Sequence, residues 1–403
     1  MKLTEKDVFD FIESEDVKFI RLAFCDVNGR PKNISIMPSE LKRAFKTGIG
    51  FDASAIDGFD RGAKSDLLLF PDPSTLTVLP WRPSHGKVVR RFSDIRRADG
   101  TPFAPDSRRI LARTEADAKD AGISVKFGAE IEFYLFKTDE YGEKTREPFD
   151  HAGYMDVAPE DKGENVRREI CLTLLDMGIF PETSYHERGP GQNEIDFRFD
   201  TALKAADDVM NLFSVVNAAA GSHGLCADFT PNPLHDNVGN AFFINISVEK
   251  DDGDDVFPSF LAGILAHISE MTAFLNSTPD SYLRLRERST PKHIFWAHEN
   301  RASLIRVPAE TGGRRRMQLR SPDPMTNPYI AYALLIYAGL DGVSRGLVPP
   351  CPILDDDDSS GDVFDTLPSS YEEALRLAKS SDFIKSCLPE EFIRGAEIIR
   401  GAD

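Results

Sequence analysis

The sequence predicts an α+β protein in two parts: a small, mostly sheet-forming domain over residues 1–100, then a larger mixed domain over 101–403. Three observations carry this. Strand-like stretches bounded by turn residues dominate the first hundred residues. Beyond them, long helical patterns alternate with apolar strand runs. The 403 residues are enough for two or three domains with a sizeable core.

Residues 4–13 read as an amphipathic helix, with Thr4 as N-cap three residues before Asp7 and apolar Val8, Phe9, Phe11 and Ile12 following. The stretches 17–27 and 33–37 read as strands joined across Asn28-Gly29, a hairpin signal. Further strands are expected at 65–72 and 75–81, and a linker at 94–109, which holds Gly100 and two prolines. Helices are then expected at 105–121, 163–177, 201–223, 257–277, 327–344 and 370–380. The intervening strands include 124–136, 193–199 and 241–249. Two acidic runs, 249–255 and 355–362, read as solvated loops, and no internal repeat is present.

Composition narrows the function. Sixty-six acidic against 48 basic residues give a net charge of -18, and the pI is near 5.0. That balance disfavours nucleic-acid and anionic-membrane partners. At 41% hydrophobic and 28% charged, the chain has a globular composition. Cys25, Cys171, Cys226, Cys351 and Cys387 are scattered, without the spacing of a zinc site or disulfide framework. The charged N-terminus has no signal-like apolar run, and no stretch of about 18 uncharged apolar residues occurs. A cytoplasmic protein with reduced thiols is expected.

Candidate chemistry sits in two places. In AEIEF, Glu130 and Glu132 are two apart on a strand, so both carboxylates face one side, roughly 7 Å apart. Like charges on a partly buried face call for a cation or arginine between them. Downstream, Glu187 and Glu194 flank Gly189-Pro190-Gly191, a turn able to fold them together, with His186 adjacent. Four carboxylates suit a hard cation such as Mg or Mn, although spacing alone equally allows a solvated strand face. The second place is basic. Six arginines (301, 306, 314, 315, 316 and 320) share residues 301–320 with a single acid, Glu310. Arginine forks match phosphate and carboxylate oxygens; one or two of the six are expected merely to pair with surplus acids. No P-loop, no Gly-x-Gly-x-x-Gly opening a helix and no Ser or Cys nucleophile motif is present.

In order along nearly the whole chain, GIGFDASAIDGF (48–59), SDLLLFPD (65–72), DGTPFAPDSR (99–108), AEIEFYLF, GYMDVAP with GENVRREI (153–170), GPGQNEIDFRF, ADFTPNPL (227–234), NRASLIRVP (300–308) and RSPDPMTNPYIAYALLIYAGLDG (320–342) resemble glutamine synthetases of the bacterial type I family. The resemblance implies a β-grasp-like N-terminal domain followed by a glutamine synthetase/guanidino-kinase-like catalytic domain. It also implies a homo-oligomeric ring whose active sites lie between subunits. The implied reaction activates glutamate with ATP as an acyl phosphate that ammonia, or another amine, displaces. Two divalent cations, Mg or Mn, would assist.

Carried over by motif, the resemblance gives Glu132, Glu187 and Glu194 to a first cation on the substrate side, and Glu130 to a second on the ATP side. Glu182, Asn245 and Ser247 would contact nucleotide, and Arg306 and Arg316 phosphate, with Arg316 and Arg320 also catalytic. Gly239, Arg284, Arg301 and Arg320 would hold the amino acid. Asp52 would reach into a neighbouring subunit's site and help to bind ammonium.

The departures are local. The family's second-cation histidine falls on Phe243 and its glutamate on Gln318, while a glutamate-contacting asparagine falls on Val238. Phenylalanine cannot ligate, and glutamine offers only a neutral carbonyl. The flap, which carries a glutamate in the family, reads Arg288-Ser289-Thr290-Pro291, and serine is no general base at neutral pH. The chain stops at Asp403 without the family's ring-joining strap, so a single ring is expected, and residues 348–368 hold no tyrosine to adenylylate. Beside an active ligase stands a second expectation: a catalytically impaired relative that binds nucleotide or amino acid as a sensor or assembly partner.

Overall fold

A computed structural model describes residues 3–59, 65–81, 86–287, 290–309, 315–353 and 364–400. Arg288, Ser289, Arg314 and the acidic run 355–362 lie outside the described residues. The chain packs as two units: Met1–Ile110 with Asp176–Gly178 and Leu388–Asp403, and Leu111–Leu175 with Ile179–Cys387.

The first unit opens with helix α1 (Glu5–Ser14). Thr4 and Asp7 form a reciprocal capping box that satisfies two otherwise unpaired backbone donors. Strands β1 (Val17–Cys25) and β2 (Pro31–Ile36) form the expected hairpin. The Asp26 carboxylate fixes the turn by accepting from the backbone N–H of Asn28 (3.0 Å) and Arg30 (2.9 Å). Helix α2 (Leu41–Thr47) leads to β3 (Ile49–Asp52) and β4 (Asp66–Pro71). The strand expected at 75–81 shrinks to β5 (Thr77–Val78), because Pro73–Thr75 turn in a short 3-10 helix.

Strand β6 (Lys87–Arg97) was not anticipated, and it runs into the segment read as a linker. Its arginines look like surface residues, yet Arg91 is fully buried. Its guanidinium donates to the Asp72 carbonyl at 2.6 Å and lies 5.4 Å from the Phe45 ring centroid. The sheet order is β2-β1-β6-β4-β3, with β5 also paired to β6 and only the β1–β6 pairing parallel.

The second unit begins within α3 (Ser107–Asp120) and is built on β7 (Ile123–Thr138), a 16-residue strand. Along the chain follow β8 (Lys144–Pro148), α4 (Glu164–Asp176), β9 (Pro181–His186), β10 (Gln192–Phe197), β11 (Asp200–Thr201), α5 (Ala202–Ser222), β12 (Leu225–Asp228) and β13 (Phe242–Lys250). Next come α6 (Phe257–Leu275), α7 (Pro279–Leu285), β14 (Trp296–His298), β15 (Ile305–Val307), β16 (Met317–Leu319), α8 (Pro328–Ser344), α9 (Tyr371–Ser380) and α10 (Asp382–Cys387). A last helix, α11 (Glu390–Arg400), belongs to the first unit, where Glu391 pairs with Arg97.

The large sheet runs β14-β15-β16-β13-β7-β10-β9, with β8, β11 and β12 also paired to β7. One face is apolar: Phe127, Ile131, Ile195, Phe242 and Ile244 are buried, and Phe127 stacks on Tyr332 of α8 at 4.1 Å. Helices α5, α6 and α8 pack together behind this face. A Cβ at Gly263 of α6 would lie 2.0 Å from the Ala338 carbonyl of α8, so only glycine permits this helix contact. Helix α6 is long and apolar enough to cross a membrane, but 61% of its apolar window is buried inside the protein, as befits a core helix. The acidic run at 249–255 leaves β13 as an exposed turn after Lys250, as expected.

Candidate active site

The opposite face of the large sheet carries the polar residues. Antiparallel register sets Glu194 opposite Glu132, Asp196 opposite Glu130, Phe243 opposite Glu130 and Gln318 opposite Asn245. Directly paired residues share a face, so four strands project their side chains to one side. An open cleft lies there, within the second unit. Its lining includes Glu130, Glu132, Glu187, Glu194, Gly239, Arg284, Arg301 and Arg320.

The turn at 187–191 does what its glycines and proline suggested. Carboxylate oxygens of Glu132, Glu187 and Glu194 all lie within 4.8 Å of one another. Glu132 is 7% exposed and Glu194 1%. Burial first, and the neighbouring Glu187 second, push Glu132 up to about 8; burial, then Glu132, hold Glu194 well above the ordinary range. Glu187 is raised too, chiefly by burial. Crowded buried acids must be neutralised, by protons or by a cation, and an all-oxygen set fits a hard divalent ion.

Glu132 is oriented by the Ala241 N–H (2.7 Å) and the Gln192 amide (3.1 Å), and Glu194 by the Tyr185 hydroxyl (2.5 Å). His186, expected beside these carboxylates, is committed elsewhere. Its Nε2 meets Asp150 at 2.8 Å and its Nδ1 meets the Glu187 carbonyl at 2.6 Å. Asp150 also accepts from the Gly191 N–H (3.0 Å), so a buried pair braces both ends of the turn that carries Glu187.

Positive charge lines the other wall. Arg284 is 1% exposed and donates to the Ser321 carbonyl at 2.8 Å. Arg320 is buried, and burial lowers it to about 10, which leaves it charged at neutral pH. Gly239 is packed so tightly that a Cβ would sit 2.3 Å from the Pro231 carbonyl. Its N–H donates to Glu287 (3.1 Å), a cleft carboxylate that sequence reasoning missed. Tyr154, Tyr185, Arg188 and Gln192 were missed as well. Tyr154 and Gln192 lie inside the quoted motifs GYMDVAP and GPGQNEIDFRF, but only the folded chain brings these side chains to the cleft.

Other expected residues fall outside this lining. Arg306 donates to the Glu299 carbonyl, Arg316 is half-buried, Glu182 is exposed, and Ser247 is buried on β13. Asn245 donates to Glu130 at 2.8 Å. Asp52, in the first unit, accepts from the Ser54 N–H and hydroxyl. Arg315 is the arginine that simply pairs with a surplus acid: Asp255 lies 3.0 Å away, and Phe257 lies beneath the guanidinium.

Fold and site together define an ATP-dependent carboxylate–amine ligase. Residues 16–98 match the glutamine synthetase beta-Grasp domain and residues 104–396 the glutamine synthetase catalytic domain. Proteins named glutamine synthetase from Clostridium saccharobutylicum and Halobacterium salinarum are 40% and 39% identical. Both alignments cover 96% of this chain, and 92% and 90% of those proteins. A solved structure of GmaS in complex with ADP is 27% identical with a TM-score of 0.89, covering 98% of this chain and 95% of that one. The Plasmodium falciparum glutamine synthetase structure shares the fold, with a TM-score of 0.89 at 21% identity, covering 100% and 96%. The chain belongs to the glutamine synthetase family.

Proposed function

We propose that this protein ligates ammonia to the γ-carboxylate of glutamate through an acyl phosphate formed from ATP, on the face of the large sheet described above. The observation that supports this most is the presence of two sets in one cleft: three crowded carboxylates, and Arg284, Arg301 and Arg320. Glu132, Glu187 and Glu194 would hold Mg or Mn, which would draw charge from the oxygens of glutamate and phosphate. The arginines would bind the substrate carboxylates and steady charge on the transferred phosphoryl group. Arg306, Arg316, Asn245, Ser247 and Glu182 are assigned to nucleotide.

Asp52 is assigned to the site of a neighbouring subunit in a ring, and the free cysteines suit a cytoplasmic protein. A role confined to binding nucleotide or amino acid is not favoured, given relatives named glutamine synthetase at about 40% identity over nearly the whole chain. Purified protein given ATP, Mg, glutamate and ammonium should release phosphate only when both glutamate and ammonium are present. A folded protein that releases none, with ammonium or with a panel of small amines, would refute the proposal.

A further inference from the structure

The resemblance places a second cation at Glu130, and carboxylate oxygens of Glu130, Glu194 and Asp196 do lie within 4.8 Å of one another, but the Glu130 oxygens are already taken by donors. Gln318 donates its amide to both Glu130 oxygens, at 2.8 and 2.9 Å, and Asn245 donates a third bond at 2.8 Å. Three N–H groups aimed at a carboxylate repel an incoming cation. Nor can Gln318 simply turn over, because its carbonyl accepts from Arg320 at 3.0 Å, and arginine has no acceptor to offer in exchange. A donor on one side and an acceptor on the other fix the amide between them. Arg320 is held in turn by Phe243, whose ring centroid lies 4.4 Å from the guanidinium carbon. Gln318 and Arg320 are 3% and 6% exposed and Glu130 is half-buried, so these bonds are largely shielded from water.

We propose that the Glu130 end of the cleft takes no divalent cation, and that the Arg320 guanidinium, stacked on Phe243 and tied through Gln318 to Glu130, supplies the fixed positive charge there. The anion it would face is the phosphoryl group in transfer to the substrate, and this rests on the ligase reading above. The substitutions Phe243 and Gln318 are then a matched pair: one gives arginine a ring to stack on, the other a carbonyl to hold. Together they replace two of the cation's expected ligands and fix an arginine already in place, and the site keeps one cation, among Glu132, Glu187 and Glu194.

The test counts cations and needs no turnover. Titrating the full chain with Mn²⁺ and reading free ion by electron paramagnetic resonance should give one site per chain. Glu130→Gln should leave its affinity within about twofold, whereas Glu132→Gln should weaken it by about tenfold or more. Phe243→His combined with Gln318→Glu should create a second site; if that variant does not fold, the Glu130→Gln comparison decides. Two sites in the unaltered chain, one of them lost in Glu130→Gln, would overturn the proposal, and so would no binding at all. That count stands apart from the phosphate-release assay: two cations in an active ligase would sink this inference alone, and one cation in an inactive protein would sink only the ligase reading.

Discussion

Glu130 and Glu132 lie two residues apart on one strand, face the same cleft and meet opposite surroundings. Glu132 is packed against two other buried carboxylates and is held toward its neutral form unless a cation arrives. Glu130 also lies within 4.8 Å of two carboxylates, Glu194 and Asp196, but it accepts three amide N–H bonds, from Asn245 and from a Gln318 backed by Arg320. Identical residue types on one face can therefore sit in a crowded acid cluster or accept a set of amide hydrogen bonds, and the neighbouring strands decide which. Charge alone does not predict ligation; the donors aimed at the charge do.

The largest effect should come from breaking the Glu132 end. Glu132→Gln should lower kcat/KM by about a hundredfold or more in the phosphate-release assay if the three-carboxylate cluster holds the cation as proposed, and it leaves buried partners unmatched. Activity within a few-fold of the unaltered chain would mean that the cluster is not the cation site.

Next is the pH dependence of the cation-free protein. Because Glu132 is raised from 4.5 to about 8, the folded state binds its proton more tightly than the unfolded state. The stabilisation that this gives is full below about pH 4.5 and is lost as pH rises through about 8. Chelator-treated protein should thus show a falling thermal midpoint between about pH 5 and pH 8, and Mg²⁺ should raise it by several degrees at the upper end and by less at the lower. A pH-independent response to Mg²⁺ would break the contrast with Glu130.

A smaller effect is expected one layer out. Asp150→Ala frees His186 and the Gly191 N–H, loosening the turn that carries Glu187, and should weaken Mn²⁺ binding by about tenfold, with Asp150→Asn recovering part of it. An unchanged affinity would show that the turn needs no brace. Smallest, Thr4→Ala removes the α1 capping box and should cost about 1 kcal/mol in denaturant unfolding of the first unit, with Mn²⁺ affinity untouched.

Much of this was readable in one dimension. Period-2 alternation put Glu130 and Glu132 on one face, and the Gly-Pro-Gly turn brought Glu187 and Glu194 together. The long helices from α3 to α9 fall within a residue or two of their expected bounds, except α7, which the reading passed over. Misses have physical causes. Strand β6 hid behind arginines that burial conceals, and His186 drew attention for its ligand chemistry when its nitrogens serve Asp150 and a carbonyl.

By itself, the sequence determined the main strands β1, β2, β4, β7, β10 and β13 and the face that Glu130 and Glu132 share, and the family resemblance showed that Phe243 and Gln318 stand where ligands are expected. Only the tertiary structure decided what fills that place. Gln318 reaches Glu130 across 188 residues and Asn245 across 115, through the pairing of β7, β13 and β16. Local propensity sets a side chain's direction, but which donor meets which acceptor is set by strand order and register. Those are cooperative properties of the packed sheet, held by its apolar face, and no short window of sequence contains them.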